Sequence, residues 1–183
     1  MRVIAGIARG SRLAAPRGMA TRPTADRVKE AVFNILGSRV PEASFLDLFA
    51  GSGAMGIEAL SRGAACAVFV ESAGQAVKTL RQNLERTGLA EGARVLNTDY
   101  IKAIHLLTAE NASFNLAYID PPYHQGLATK ALDWVGKNKL LALGGLALAE
   151  IARKEELAEE VGPLGKIRVA TYGDTAIHIY QMA

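Results

Sequence analysis

The chain alternates between short, mostly apolar runs and segments in which apolar residues recur every three or four positions. The runs begin at Phe45, Cys66, Ala93 and Phe114, and each precedes a segment with helical spacing. Alternation of buried strands with amphipathic helices predicts an α/β fold with a parallel sheet and helices on both faces.

The two ends of the chain depart from this alternation. The stretch RVIAGIARGSRLAAP predicts a hairpin, and Thr24 and Gly37 are the expected N-cap and stop of the helix that follows. Near the C-terminus we expect a fifth strand within LALGGLALAEI, a helical turn or two in KEELAEEVG, and a hairpin around Gly173-Asp174. This closing hairpin should place an antiparallel strand in the sheet.

Length and composition suit one domain of 183 residues, half of them hydrophobic. A single cysteine excludes a disulfide within the chain, and three scattered histidines show no ligand spacing, so no metal is expected. The longest apolar stretch, Leu140 to Ala149, is too short to span a bilayer. We therefore expect a cytoplasmic protein with no membrane partner.

Charge is concentrated at the start of the chain. The formal net charge is +3, but the first 40 residues hold eight Lys and Arg side chains against two acids. A basic head on a slightly acidic body indicates a polyanionic partner, with nucleic acid first. A solvated, charged N-terminal segment is the alternative.

A glycine motif follows the first predicted strand. Gly51, Gly53 and Gly56 have G-x-G-x-x-G spacing between a strand and a helix, and Glu71 stands twenty residues after Gly51. Such a loop lets a ligand approach the backbone closely, and an acid at that distance can accept hydrogen bonds from ribose hydroxyls. The motif predicts a ligand that contains a ribose.

Two acids near the loop bear on the identity of that ligand. The spacing alone fits a nicotinamide dinucleotide, but Asp47, three residues before Ala50, would repel a pyrophosphate. It would suit S-adenosylmethionine, which carries a sulfonium and an ammonium group and no phosphate. Asp99 could accept a hydrogen bond from an adenine amino group, or it could cap the next helix.

The segment IDPPY ends the fourth predicted strand. Pro121 forces Asp120 into an extended conformation, and Pro122 fixes the direction of the Pro121 carbonyl. Two fixed acceptors beside the ring of Tyr123 fit the amino group of a stacked nucleobase. A grip that strengthens as the nitrogen becomes tetrahedral would favour its attack on a methyl group.

These features together resemble a known family. DPPY resembles the [DNS]-PP-[YFW] motif of S-adenosylmethionine-dependent amino-methyltransferases, and FLDLFAGSGAMGIEALSRGA with VFVE resembles their first two motifs. With the basic head and TRPTADRVKEAVFNIL placed before them, the order is similar to the RsmD family. The resemblance runs from Arg2 to about Tyr180.

The resemblance implies both a fold and an activity. The fold would be a Rossmann-like class I methyltransferase with a mostly parallel seven-stranded sheet, an antiparallel C-terminal strand and an N-terminal β-hairpin. Residues 1–21 would form a basic arm and residues 22–183 the methyltransferase domain. The activity would be transfer of methyl from S-adenosylmethionine to N2 of a guanine in 16S rRNA, numbered 966 in the family's name. The partner would be 16S rRNA or a 30S assembly particle, and the protein a monomer.

It also implies roles for particular residues. The expected cofactor-binding residues are Asp47, Ala50, Gly51, Gly53, Glu71 and Asp99. The expected catalytic residues are Asp120, Pro121 and Tyr123. The expected RNA-binding residues are Arg9, Arg12, Arg22, Thr24 and Arg27, although Arg27 could equally make a structural ion pair. One departure is Ala8, where the family pattern leads us to expect a larger residue that could stack on RNA.

Other functions stay open at this point. DPPY specifies an amino group, so adenine N6 or cytosine N4 in DNA, or a glutamine amide, would also satisfy it. An NAD-dependent oxidoreductase would explain the glycine motif but not DPPY. A non-catalytic RNA-binding module would have no need of Asp120.

Overall fold

The computed structural model describes residues 1–15, 23–122 and 126–183, and only the backbone of residues 23–25. Its helices are α1 (Pro23–Leu36), α2 (Ala54–Ser61), α3 (Gly74–Thr87), α4 (Tyr100–Ala109) and α5 (Leu127–Lys137), with a 3₁₀ turn at Gly37–Arg39. Its strands are β1 (Ser44–Asp47), β2 (Cys66–Val70), β3 (Ala93–Leu96), β4 (Phe114–Ile119), β5 (Leu141–Ala152), β6 (Glu160–Val161), β7 (Leu164–Tyr172) and β8 (Thr175–Met182). Within the described chain, no helix is both long and apolar enough to cross a membrane.

All eight strands belong to one sheet, in the order β3-β2-β1-β4-β5-β8-β7-β6. Strands β1 to β5 are parallel neighbours, and β8 runs antiparallel to β5. The predicted α/β fold with an antiparallel C-terminal strand is therefore confirmed. The predicted count of seven strands is wrong, because the two-residue strand β6 pairs with β7 as an eighth.

The segment predicted to form a helical turn or two before β6 is not helical. Its carbonyl groups accept hydrogen bonds from the terminal hairpin. Lys166 Nζ donates to the Leu157 carbonyl at 2.5 Å, and the Tyr180 hydroxyl donates to the Ala158 carbonyl at 2.6 Å. A helix would need those carbonyls for its own amides, so the hairpin's side chains hold the segment extended.

The sheet separates two apolar layers, because successive strand residues point to opposite faces. Phe45, Phe69 and Tyr118 pack on the side covered by α1, α2 and α3. Leu46, Ala117 and the residues that alternate with the first set pack on the side covered by α4 and α5. Helix α1 begins at Pro23, one residue before the expected cap Thr24, and proline is favoured in a first helical turn.

The N-terminal segment, residues 1–15, forms one antiparallel bridge between Arg2 and Arg12 rather than two strands. The Val3 amide donates to the Ser11 carbonyl at 3.0 Å. Val3, Ala8 and Leu13 are buried in the same apolar layer as α1, α2 and α3. The segment is therefore packed onto the domain and does not project from it.

A buried carboxylate on α2 fixes this packing. Glu58 is fully buried and accepts hydrogen bonds from the Ile4 and Ala5 amides at 2.8 and 3.0 Å. It also pairs with Lys29 of α1 at 3.1 Å and with Arg62 at 2.8 Å. The Glu58 carboxylate thus joins the N-terminal segment, α1 and α2 at one point.

A buried amide on α3 makes a second connection. The Ala14 amide donates to Asn83 Oδ1 at 2.8 Å, and Asn83 Nδ2 donates to the Ala14 carbonyl at 3.0 Å. The same Nδ2 donates to the Ser52 carbonyl at 3.0 Å. Because Ser52 lies within the glycine loop, Asn83 links the end of the N-terminal segment to that loop.

Candidate active site

The glycine loop and residues 119–122 both lie at the carboxyl edge of the sheet. From β1 the chain runs outward through β2 and β3, then returns to place β4 on the other side of β1. Open α/β sheets bind ligands in the crevice outside the strands at such a switch in strand order. The loop after β1 and the loop after β4 therefore border the same crevice, as the sequence predicts.

The glycine loop adopts a conformation that other residues would strain. Gly51 and Gly53 have positive φ angles of 54° and 80°. A Cβ atom at Gly53 would also lie 2.0 Å from Leu80 Cδ1, and one at Gly56 would lie 2.2 Å from the Phe69 ring. No atom lies within 4 Å of a Cβ position at Gly51, so the crevice is open there.

Asp47 lies buried beneath the loop at the end of β1. Its Oδ2 accepts a hydrogen bond from the Gly56 amide at 3.0 Å. Burial raises the pKa of the Asp47 carboxyl to about 7; the charge of Glu71 adds to the rise and the Gly56 hydrogen bond opposes it. A cation in the crevice would stabilise the ionised form of this carboxyl.

Glu71 lies between the glycine loop and α3. Its two carboxylate oxygens accept hydrogen bonds from the Gly51 and Ala73 amides, each at 2.8 Å. A carboxylate has about four acceptor positions, so these two bonds fix its orientation and leave room for further donors. The predicted contact of Glu71 with ribose hydroxyls is compatible with this geometry and stays a prediction.

Asp99 caps α4, the alternative that the sequence left open. Its Oδ1 accepts from the amides of Ile101 and Lys102 at 3.1 and 3.0 Å. The Lys102 amide bond is the main cause that lowers the pKa of this exposed carboxyl. The adenine contact stays a prediction.

The sequence did not draw attention to Phe49 and Tyr100, whose rings lie 5.2 Å apart between the loop and Asp99.

Asp120 follows the last residue of β4, where the sequence predicts a grip on an amino group. Its side chain is reachable by solvent at the crevice, whereas Pro121 is buried. Loss of hydrating water, and then the charges of Glu150 and Asp47, raise the pKa of the Asp120 carboxyl well above its ordinary value. Tyr123, the predicted stacking ring, lies outside the described residues.

Two residues that sequence reasoning missed complete this corner of the crevice. The buried Tyr118 hydroxyl donates a hydrogen bond to Glu150 near the end of β5. Burial, followed by the charge of Glu150, raises the pKa of Tyr118, so the phenol keeps its proton and remains a donor. A signal for Glu150 existed, because this acid ends an apolar run as Glu71 and Asp120 do.

Comparison with known proteins agrees with this geometry. The family model described as "Conserved hypothetical protein 95" matches residues 1–181. The Ribosomal RNA small subunit methyltransferase D of Escherichia coli (strain K12) is 35% identical over 99% of this chain and 89% of its own length. The chain belongs to the RsmD family.

Solved structures show a likeness in fold as well. The Escherichia coli protein yhhF has a TM-score of 0.86 and 35% identity, with 100% of this chain and 97% of that chain covered. The T. thermophilus 16S rRNA N2 G1207 methyltransferase (RsmC), in complex with AdoMet and guanosine, has a TM-score of 0.71 and 25% identity. Its alignment covers 91% of this chain and 45% of that chain. The predicted Rossmann-like class I fold is confirmed by these likenesses.

In this RsmD-family chain, three of the five predicted RNA-binding residues lie on the surface. Arg9 and Arg12 are exposed on the N-terminal segment, and the Arg12 carbonyl accepts a hydrogen bond from Arg86 of α3 at 3.2 Å. Arg27 is exposed on α1. Arg22 and the side chain of Thr24 lie outside the described residues.

The structure also shows where Ala8 lies, the residue that departs from the RsmD pattern. Ala8 is buried against α2, where its amide donates to Ser61 Oγ at 3.0 Å. The exposed apolar residue of this turn is Ile7, with 86% of its surface accessible.

In the parts of the chain that the structure describes, no group of three His, Cys, Asp or Glu side chains could hold a metal ion.

Proposed function

We propose that this protein transfers a methyl group from S-adenosylmethionine to the exocyclic N2 of a guanine in small-subunit rRNA. The guanine would be the one numbered 966 in the family's name, methylated in 16S rRNA or a 30S assembly particle in the cytoplasm. The observation that carries the proposal is the position of Asp120 and Pro121 at the switch in strand order. They follow β4, which is the direct neighbour of β1, and the glycine loop follows β1. Membership of the RsmD family and likeness to a guanine-N2 methyltransferase support it.

The residues present fit S-adenosylmethionine. The pKa values of the Asp47 and Asp120 carboxyls are raised, and a sulfonium or an ammonium group beside them would favour their ionised forms, whereas a pyrophosphate would oppose ionisation. Glu71 would hold the ribose hydroxyls, Asp99 the adenine, and the open space at Gly51 would let the ligand approach the backbone. When bound, S-adenosylmethionine supplies a methyl group attached to a positively charged sulfur.

Asp120 and Pro121 would act on the base. The two N–H bonds of the guanine amine would point at the Asp120 carboxylate and the Pro121 carbonyl, which frees the nitrogen lone pair from the ring. As the nitrogen gains its fourth bond it becomes positive, so the hydrogen bond to Asp120 strengthens. Once a bound cation has favoured its ionised form, the Asp120 carboxylate could accept the proton that the nitrogen must lose.

The remaining predicted residues would position the RNA. Arg9 and Arg12 would contact phosphates, and Tyr123 would stack on the base. Arg22, Thr24 and Arg27 would border the mouth of the crevice. In this proposal residues 1–21 serve as the RNA-contacting arm, residues 22–183 as the methyltransferase domain, and the protein works as a monomer.

The test is mass mapping of methylated nucleotides in small-subunit rRNA from cells with and without this protein, combined with assays of purified variants. Asp120→Ala should abolish methylation and leave most of the affinity for S-adenosylhomocysteine, measured by calorimetry. Asp133→Ala, on the opposite face of the sheet, should keep both. An unchanged rRNA map, or tight binding of NAD with no response to S-adenosylhomocysteine, would overturn the proposal.

A further inference from the structure

Two carboxylates lie near the carboxyl ends of neighbouring strands: Asp120 follows β4, and Glu150 lies two residues before the end of β5. In the parallel pairing of β4 with β5, Tyr118 lies opposite Leu148 and Ile119 opposite Ala149. Continued by one residue, this register places Asp120 beside Glu150. Adjacent strands lie about 4.8 Å apart, so the two side chains start from neighbouring points on the crevice wall.

Both side chains project toward the same face. The hydrogen bond from Tyr118 to Glu150 shows that these two share a face, and Asp120 follows Tyr118 by two residues along the strand direction. Asp120 is open to the crevice, and Glu150 is half-buried. Because Tyr118 is buried, its hydroxyl is a fixed point that orients the Glu150 carboxylate.

The bases that carry an exocyclic amine differ in the atom next to it. On guanine, the N2 amine is flanked by the N1–H donor. On adenine and cytosine, the amine is flanked by a ring nitrogen that is an acceptor. A carboxylate beside Asp120 would accept from the guanine N1–H, and it would repel the ring lone pair of the other two bases.

Guanine would also relieve a repulsion that exists without it. After burial, the charge of Glu150 is the next cause that raises the pKa of the Asp120 carboxyl, as expected for two neighbouring carboxylates whose ionised forms repel each other. A base edge with two adjacent donors gives each carboxylate its own partner. A base edge with one donor and one acceptor leaves the second carboxylate facing a lone pair.

We propose that Glu150 is a specificity-determining residue that accepts a hydrogen bond from the N1–H of the target guanine, while Asp120 and the Pro121 carbonyl hold its N2 amine. Tyr118 is the positioning residue for Glu150. This inference rests on the proposed function, and it explains how a site built for an amino group selects guanine.

The experiment compares two synthetic RNAs that cover the guanine identified by mass mapping. One carries guanine at that position, and the other carries 2-aminopurine, which keeps the amine but has an acceptor at N1. We would measure kcat/KM for both RNAs with the wild type, Glu150→Gln, Tyr118→Phe and the exposed control Glu160→Gln. The readout is the ratio of the two values, because the intrinsic reactivity of each amine is common to all variants.

In the wild type, guanine should be preferred by roughly 10- to 100-fold, the usual worth of a hydrogen bond to a charged group. Glu150→Gln should lose most of this preference, since an amide can donate to an acceptor at N1 as well as accept from N–H. Tyr118→Phe should lower the ratio part of the way, because Glu150 is no longer held. Glu160→Gln should keep the wild-type ratio.

The outcomes separate the two proposals. A wild type that methylates guanine, together with an unchanged ratio in Glu150→Gln, would overturn the role of Glu150 and leave the proposed function standing. Affinity for S-adenosylhomocysteine reports whether each variant is folded; if Glu150→Gln fails to fold, an unchanged ratio in Tyr118→Phe is decisive instead. A wild type that methylates neither RNA, whether free or assembled into a 30S particle, would overturn both proposals.

Discussion

At the scale of single residues, ionisation of the buried Asp47 carboxyl lowers the stability of the fold, although the proposed binding of a cation needs the ionised form. Its pKa is raised from 3.8 to about 7, chiefly by burial. The folded state thus holds a proton that the unfolded chain releases as the pH rises above 4. This residue costs no stability below pH 4, costs progressively more between pH 4 and 7, and costs a constant amount above pH 7.

Replacement of this carboxyl should change the pH dependence of folding. Between pH 5 and pH 8, the free energy of unfolding should fall less in Asp47→Asn than in the wild type. The two decreases should differ by a few kcal/mol, since one pKa unit corresponds to about 1.4 kcal/mol. Urea unfolding at several pH values measures it, with Asp174→Asn as the exposed control. Parallel curves for wild type and Asp47→Asn would contradict the raised pKa.

The affinity of the wild type for S-adenosylmethionine should rise over the same range, because the cation needs the ionised form.

Sequence spacing was sufficient to select three acids that the fold places at one edge of the sheet. Asp47, Glu71 and Asp120 each precede or follow a recognisable motif, and the structure brings all three to one edge of the sheet. Glu150 also follows an apolar run, but no recognisable motif accompanies it, and its significance depends on its register with β4 and on Tyr118. Contacts across strands are set by the tertiary fold rather than by local pattern.

At the scale of elements, prediction worked where local signals agreed. The segments predicted as α4 and β4 coincide with Tyr100–Ala109 and Phe114–Ile119, since Asp99 caps the helix and the strand is almost wholly apolar. It failed at KEELAEEVG, where donors from β7 and β8 decide the conformation. The N-terminal segment likewise owes its shape to Glu58, a residue distant in sequence.

The Glu58 carboxylate should be worth far more than an exposed ion pair. We expect Glu58→Gln to cost about 3–5 kcal/mol of unfolding free energy, because it leaves the buried Lys29 ammonium uncompensated. Glu110→Gln, which removes the exposed pair with Arg94, should cost much less. Urea unfolding compares the two, and hydrogen exchange should show faster exchange of the Ile4 and Ala5 amides in Glu58→Gln only. Equal costs would show that Glu58 does not fix the segment.

At the scale of the whole molecule, the described N-terminal segment, residues 1–15, is packed onto the domain. The N-terminal segment carries Arg9 and Arg12 on its surface while its apolar residues are buried with α1, α2 and α3. The arginines are therefore held in fixed positions relative to the crevice. An ordered set of cations can track a phosphate backbone without first losing the freedom of a flexible arm.

Removal of these two charges should weaken RNA binding in a salt-dependent way. We expect Arg9→Ala with Arg12→Ala to lower affinity and to reduce the slope of log K against log salt by about 2, one for each phosphate that no longer has an arginine partner. Lys130→Ala with Lys137→Ala removes the same charge from α5 on the opposite face and should leave the slope unchanged. Filter binding at several salt concentrations measures both. Equal slopes in the two double variants would exclude the N-terminal segment from the RNA interface.

The single amide of Asn83 has a consequence for how the two ligands of the proposed reaction influence each other. Its Nδ2 donates both to Ala14, at the end of the N-terminal segment, and to Ser52, in the glycine loop. A displacement of either carbonyl therefore perturbs the hydrogen bond to the other. If RNA and the methyl donor each displace one of these carbonyls, we expect them to change each other's affinity, and by the same factor, because linkage is reciprocal. With such coupling, a change in the affinity for one ligand would always accompany a change in the affinity for the other.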